Sequence, residues 1–461
     1  MDNRRTFLRP GTPRPGADYV LYWMQAYRRA RQNPALDEAI RIANDLDLPV
    51  VVYEALRPDY PEANARIHTF VVEGMPANAR DAAARGLRYA AYVPSTKTHD
   101  RDTLPRLARR AAVVVTDEYP AFIIPRQTRA LAARIDCPLV TVDACGIVPL
   151  RELTKREWSA GTIRPKLHKL LPVYFHELDE ATVQHDGTTL DLELDETDVV
   201  RESAADIVAR AGVDPSVAPS PVYRGGRDAA LARLSNFLEK HLSSYGVGRS
   251  QPGADTSSRL SAYLHFGHVS ALEVALAVRA STAPQECIDA FLEQLIVRRE
   301  LAFNFTFFEP NHTSVECLPE WALKTLAKHA DDEREDVSDE AIERGATYDE
   351  VWNVAQRELL VTGEIHNQPR MLWGKKIFEW SRTPQHAVDM MIRLHHRYAL
   401  DGRSPLTYAS ILWILGLHDR AWGPERPIYG TIRYMTSESF RRKFDVPAYR
   451  KRIELAADLR K

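Results

Sequence analysis

Five short apolar runs alternate with helical segments across the N-terminal part of the chain, and this alternation constrains the fold most tightly. The runs cover 18–24 (DYVLYWM), 48–56 (LPVVVYEAL), 87–93 (LRYAAYV), 111–118 (AAVVVTDE) and 137–145 (CPLVTVDAC). Between them, 34–46, 68–86, 103–110 and 127–134 carry helical periodicity. The runs are continuously apolar and Val-rich rather than alternating. That pattern predicts a parallel sheet covered on both faces, hence a doubly wound α/β domain over 18–150. The polar, Pro-rich residues 1–17 read as a flexible lead-in. No G-x-G-x-x-G follows the first run, so a standard dinucleotide site is not expected; any ligand here would sit in the crevice at the strand ends.

Residues 151–225 read as an interdomain linker. A basic, apolar piece (TIRPKLHKLLPVYF) leads to an acidic, turn-rich one and then to DPSVAPSPVYRGG. From Arg227 onward strand signals nearly vanish and apolar residues recur at helical spacing, which predicts an all-helical domain over 226–461. With 461 residues and 44% hydrophobic content there is material for two cores. A net charge of −2 gives no global field toward nucleic acid, so such binding needs a local patch. Cys137, Cys145, Cys287 and Cys317 are widely spaced, which argues against structural zinc, any other metal centre and a disulfide framework. No signal-like start and no run of about twenty apolar residues is present. The expectation is a soluble, cytoplasmic, monomeric protein without a membrane partner.

Within the helical part, residues 349–435 hold five of the eight tryptophans: Trp352, Trp373, Trp380, Trp413 and Trp422. Trp373 and Trp380 share a helix face at seven-residue spacing. Tryptophans at such spacing are ordinarily core. Here His366, Asn367, Arg370, Lys375 and Lys376 lie among them, which suits a cavity for a planar ligand better than a plain core. The run Thr256–Ser261 is either an ordinary N-cap or a donor set for a phosphate. Residues 294–300 read as a charged helix face and 401–403 as a solvated turn. From Thr431 to Lys461 nine Lys/Arg stand against four acids, with Tyr434 and Phe440 interleaved, which reads either as a solvated helix or as a surface that meets a phosphate backbone.

These pieces, in this order behind an α/β domain, resemble the photolyase/cryptochrome family, and most closely its class II cyclobutane pyrimidine dimer photolyases. The resemblance runs from YVLYWMQ (19–25) through DYPEAN (59–64), TIRPKLHKLLP (162–172), SSRLSAYLHFG (257–267), FLEQLIVRREL (291–301) and LWGKKIFEW (372–380) to ERPIYGTIRYM (425–435). It implies FAD in the helical domain and light-driven electron donation to a pyrimidine dimer flipped out of UV-damaged DNA. It further implies that Tyr245 and Ser257, Ser258, Arg259, Leu260 and Ser261 contact the FAD diphosphate. Arg299 and Asn367 would line the cavity, and Arg370 would pair with Asp401, beside Gly402. Trp373, Trp352 and Trp380 match the chain that reduces the flavin from the surface. Met371 and Trp413 would line the lesion pocket. Arg420 and Trp422 would fill the gap left in the duplex, with Arg433, Arg441, Arg442 and Lys443 on the backbone. A deazaflavin-type antenna in the α/β domain is the remaining implication.

Departures from the family pattern fall at the chemistry. Gln294 aligns with a glutamate that contacts the dimer, and His395 with an asparagine facing the flavin. A protonated imidazole there would place a positive charge beside the cofactor. Gln368-Pro369 stands where an aromatic or apolar pair is usual, and Ala262 replaces a proline. These departures keep two alternatives open: a cryptochrome-like blue-light receptor, and a photolyase-derived flavoenzyme with an altered substrate.

Overall fold

The structure, a computed structural model, describes residues 3–95, 100–254 and 256–459. Its α/β part comprises β1 (Arg5–Arg9), β2 (Tyr19–Met24), α1 (Pro34–Asp45), β3 (Val50–Ala55), α2 (Ala65–Val72), α3 (Met75–Ala83), β4 (Arg88–Tyr92), α4 (Thr103–Arg110), β5 (Ala111–Glu118), α5 (Ile124–Ala132) and β6 (Leu139–Asp143). The sheet order is β1-β6-β5-β2-β3-β4, with every neighbouring pair parallel except β1–β6.

The continuous apolar runs have a direct cause: both sheet faces are buried. Along β2, Val20, Tyr22 and Met24 pack with Leu36 and Ile40 of α1. The alternate residues Tyr19, Leu21 and Trp23 pack with Leu107 of α4 and Leu131 of α5. One expectation is corrected. The lead-in expected to be flexible carries β1, which pairs antiparallel with β6 from Arg5↔Val142 to Arg9↔Leu139. Arg4 ties its start down by donating to Asp143 O (3.0 Å) and Ile147 O (2.6 Å).

The stretch expected as a linker is packed as well. It forms α6 (Ala160–Tyr174) and α7 (Ala204–Ala211). Leu190, Leu192 and Leu194 between them lie against the sheet core, and Thr197 N donates to Ala91 O (2.9 Å).

The helical part follows: α8 (Arg227–Lys240), α9 (Tyr245–Gly248), α10 (Ser261–His265), α11 (Ala271–Arg279), α12 (Gln285–Leu292), a π-helical turn over Glu293–Arg298, α13 (Arg299–Phe308), α14 (Glu320–Lys328) and α15 (Asp339–Arg344). Then come α16 (Glu350–Thr362), α17 (Asn367–Trp380), α18 (Pro384–Tyr398), α19 (Pro405–Ile414), α20 (Ser437–Lys443) and α21 (Val446–Asp458). The two parts meet intimately. Buried Arg66 of α2 donates to Leu359 O, Leu360 O and Tyr398 O at 2.7–3.1 Å. At Gly267 (φ +69°) a Cβ would lie 2.4 Å from Ala26 O, so only glycine admits this approach. Among the described residues no helix is long and apolar enough to cross a membrane.

Candidate active site

Two helices, α16 and α17, bring Trp352, Trp373 and Trp380 together. The Asp349 side chain caps α16, accepting from Val351 N and Trp352 N (both 3.1 Å). This sets Trp352 against α17. The Trp352 and Trp373 rings are stacked at 6.5 Å with an interplanar angle of 4°, and Trp380 meets Trp352 at 5.2 Å and 72°. Each indole N–H is spent: Trp352 donates to Trp373 O (2.9 Å), Trp373 to Gln356 Oε1 (2.7 Å) and Trp380 to Tyr348 Oη (3.0 Å). Gly374, next to Trp373, lies close against α19: a Cβ there would lie 2.0 Å from Ile414 Cδ1, so that side chain would have to shift.

The row continues inward. From α18, His395 meets Trp373 edge-on at 5.0 Å. His396 faces the other way, toward Phe122 (5.2 Å) and the Tyr408 hydroxyl (2.9 Å). His395 Nδ1–H donates to Met391 O (2.8 Å), which leaves Nε2 as a buried acceptor without a partner. Burial pushes the imidazole down to about 3, and the nearby charge of Arg370 pushes the same way. The positive charge that protonation would bring here is disfavoured: burial and Arg370 both hold the ring in its neutral form.

Arg370 and Asp401 approach to 4.0 Å, and Arg370 also donates to Ile365 O (2.9 Å) while its buried Nε lacks a partner. Gly402 lets the turn close, since a Cβ would lie 2.0 Å from His395 O. This turn is not solvated as expected. Asp401 is buried, and Arg403 is buried beside the Tyr60 and Phe122 rings (5.2 Å from each).

Several other expected residues stand differently. Arg299 is buried, but its guanidinium donates to Cys145 O and lies 4.4 Å over Phe303, so it braces the junction with the α/β part rather than presenting to a cavity. Beside it, Glu300 accepts from Ile147 N (2.8 Å) and Val148 N (3.2 Å); burial pushes its carboxyl up to about 7. The charged face expected over 294–300 is thus largely interior. Asn367 is exposed in the first turn of α17, because the preceding His366 turns inward and caps that helix. Tyr245 is buried edge-on to Phe237 and Phe291. Ser257, Ser258 and Arg259 are half-buried and Leu260 is buried; Arg259 takes a left-handed backbone (φ +51°) just ahead of α10, whose first residue, Ser261, is exposed.

Gln294 is half-buried in the π-helical turn, a local geometry that recurs at functional sites. Its neighbour Glu293 is held by Arg164 (2.7 Å) and Arg298 (3.4 Å). Arg298 also lies 5.6 Å over Trp413, which is half-buried, as is Met371. On the surface nearby, Trp422 lies between the guanidinium groups of Arg420 (4.5 Å) and Arg433 (5.0 Å). Arg441, Arg442 and Lys443 are exposed on α20. Arg460 and Lys461 of the basic run lie outside the described residues. Among the described residues no group of His, Cys, Asp and Glu could hold a metal.

Comparison with known proteins decides the family. The model of the DNA photolyase family matches residues 20–184. A deoxyribodipyrimidine photo-lyase of Methanothermobacter thermautotrophicus is 39% identical over 441 residues, 94% of each chain. The chain belongs to the DNA photolyase family. Enzymes of the same name from Arabidopsis thaliana (36% identical, 93% of this chain and 88% of the relative) and Potorous tridactylus (33%, 95% and 81%) are similar along nearly the whole length. Among solved structures, a photolyase from Sulfolobus tokodaii superimposes with TM-score 0.66 at 15% identity, covering 94% of this chain and 89% of that one. A class III photolyase from Agrobacterium tumefaciens gives 0.63 at 16% identity, covering 97% and 88%. These two establish the photolyase fold.

Family membership implies an FAD chromophore, and the residues present fit it. A buried acceptor and a buried donor without partners, His395 Nε2 and Arg370 Nε, stand near one another at the inner end of the tryptophan row. Leaving such groups unsatisfied costs about 1–3 kcal/mol each, so the site is built for a polar, planar ligand.

Sequence reasoning named Lys375 only as a polar residue among the tryptophans, and it missed Tyr348. Lys375 is buried on α17, donates to Ile414 O at the end of α19, and is pushed down to about 7 by burial. Tyr348, just ahead of the α16 cap, covers Trp380; its only sequence signal was its place at the head of the aromatic stretch.

Proposed function

We propose that this chain is a light-driven DNA repair lyase that splits cyclobutane pyrimidine dimers. The observation that carries this reading is the full-length similarity to deoxyribodipyrimidine photo-lyases, together with an unbroken aromatic row that ends at a neutral, half-satisfied His395. When bound, FAD supplies the blue-light absorption and the electron that opens the dimer's ring.

The chain's own residues do the rest. Arg370 and Asp401 balance charge beside the cofactor, and Arg259 with Ser257 and Ser258 holds its diphosphate. His395 offers an uncharged acceptor at Nε2 rather than a proton. Trp373, Trp352 and Trp380 pass electrons inward from the outer side of α16 and α17. Trp413, Met371 and Gln294 form the wall against which the flipped dimer packs; Gln294 contributes a hydrogen bond without a titratable proton. The Arg420–Trp422–Arg433 stack enters the gap in the duplex, while Arg441, Arg442 and Lys443 follow the backbone.

The same reading assigns an antenna chromophore of deazaflavin type to the α/β part. A cavity of about 360 Å³ opens at the C-terminal ends of β2, β3 and β5, between Trp23, Gln25, Leu56, Tyr60 and Phe122 and reaching Arg403. Its position follows the rule for open sheets and its size suits one planar ligand. The test is to reduce the holoprotein in the dark, add an oligonucleotide with one thymine dimer, and follow thymine absorbance under blue light. Recovery in light and none in darkness is expected; a photoreducible holoprotein that leaves the dimer intact would overturn the repair reading in favour of a receptor.

A further inference from the structure

Trp380, the outermost tryptophan of the row, is buried, at 4% exposure. The aromatic that covers it and reaches solvent is Tyr348, 60% exposed, whose ring stands edge-on at 5.8 Å. The two are joined through a continuous hydrogen-bond chain. Trp380 Nε1–H donates to Tyr348 Oη (3.0 Å), and Tyr348 O–H donates to the Glu335 carboxylate.

We propose that Tyr348 is a fourth member of the electron relay and its terminal donor, with Glu335 as the proton acceptor. This rests on the relay reading of Trp373, Trp352 and Trp380 given above. The oxidant is the photoexcited oxidised flavin, acting through those tryptophans. One electron moves from the Tyr348 ring to the oxidised indole of Trp380, which returns to its neutral, reduced form. The phenolic O–H bond breaks, and its proton moves to Glu335. Tyr348 is left as a neutral radical at the surface, where a soluble thiol can reduce it by one electron and one proton.

Charge sets the direction. The Lys376 ammonium lies 5.1 Å from the Trp380 ring and 5.7 Å from the Tyr348 ring. A positive charge on Trp380 is repelled by it, in a site shielded from water. The Glu379 carboxylate at 2.7 Å offsets part of that repulsion. A tyrosyl radical that has given its proton to Glu335 carries no charge and escapes the repulsion. Exposure of Tyr348 then separates the radical from the cofactor by the length of the row.

The test is transient absorption and electron paramagnetic resonance of the oxidised FAD holoprotein after a flash, without DNA. Wild type is expected to show a tryptophanyl signal replaced by a tyrosyl signal, slowed in D2O. Tyr348→Phe keeps the ring packing and should lose the tyrosyl signal, retaining the tryptophanyl one. Glu335→Gln should slow tyrosyl formation and diminish the D2O effect. A wild type that ends on a neutral tryptophanyl radical, indistinguishable from Tyr348→Phe, would overturn the proposal, since the phenol would then only conduct the indole proton. Trp373→Phe separates this failure from failure of the relay itself: flash-induced radicals that persist in that variant would sink the relay reading.

Discussion

The helical part holds an aromatic row and the α/β part a strand-end cavity, and the two are specified in different ways. In the helical part, identity matters residue by residue: stacked Trp352 and Trp373, an edge-on His395, and a glycine at 374 where any Cβ would displace the Ile414 side chain of α19. In the α/β part, topology matters: the cavity opens where parallel strands end together, lined by the ends of β2, β3 and β4, by α4 and α5, and by His265, Phe266 and Arg403 of the helical part. On the proposed relay, the first would use rigid helices to fix the distances on which electron transfer depends. On the proposed antenna reading, the second would need only to hold an absorber nearby. The proposed chemistry falls where side chains are locked, and the proposed light collection where the backbone leaves room.

The sharpest way to break this comparison is Trp373→Phe. It should abolish photoreduction of the oxidised holoprotein while leaving dimer splitting by chemically reduced protein intact; steady-state absorbance under blue light reads the first and the thymine assay the second. Photoreduction at the wild-type rate would mean the row is core only.

Acid comes next. Burial holds His265, His395 and His396 down to about 3, against 6.5 for the free side chain. Below 6.5 the unfolded chain binds protons that these folded sites refuse. Their contribution to stability is therefore complete above that value and is lost as pH falls toward 3, by about 1.4 kcal/mol per pH unit for each histidine. The Tm should drop steeply over this window, and His395→Asn should make the drop shallower. An unchanged slope in that variant would show that His395 is not buried neutral.

A smaller effect sharpens the other side. Ala55→Phe fills the strand-end cavity and should remove antenna-sensitised repair, seen as lost bands in the action spectrum, while direct flavin excitation still splits dimers. If repair by direct excitation also falls, the two places are not independent. Smallest is Arg433→Ala, which leaves Trp422 with one flanking guanidinium. The log–log salt slope of binding to dimer-containing duplex should shrink by about one unit; an unchanged slope would remove Arg433 from the interface.

How much of this the sequence disclosed depends on the kind of information. The five buried strands were legible because burial on both faces forces continuous apolar runs. β1 was not, because an edge strand reading RTFLR has neither a run nor a clean alternation. Trp352, Trp373 and Trp380 were legible through spacing and family resemblance. The neutrality of His395 was not, since charge state follows from burial and from Arg370 across the fold. Nor was the solvated-turn reading of 401–403 safe, because Asp-Gly-Arg looks polar until Arg403 is seen buried beside Tyr60 and Phe122. Arg299 was placed by its motif but is turned to Cys145 by the packing of α13 on the α/β part. Tyr348 and Glu335 come from separate loops, and an exposed tyrosine before a helix cap carries no signal of the indole beneath it.

The most direct measurement sets wild type and Ala55→Phe side by side. Both holoproteins are reduced in the dark, given a single-dimer oligonucleotide and illuminated where flavin absorbs. The account predicts light-dependent recovery of thymine in both, with equal yield per photon taken up by the flavin. No recovery in either, with FAD bound and reduced, would contradict it.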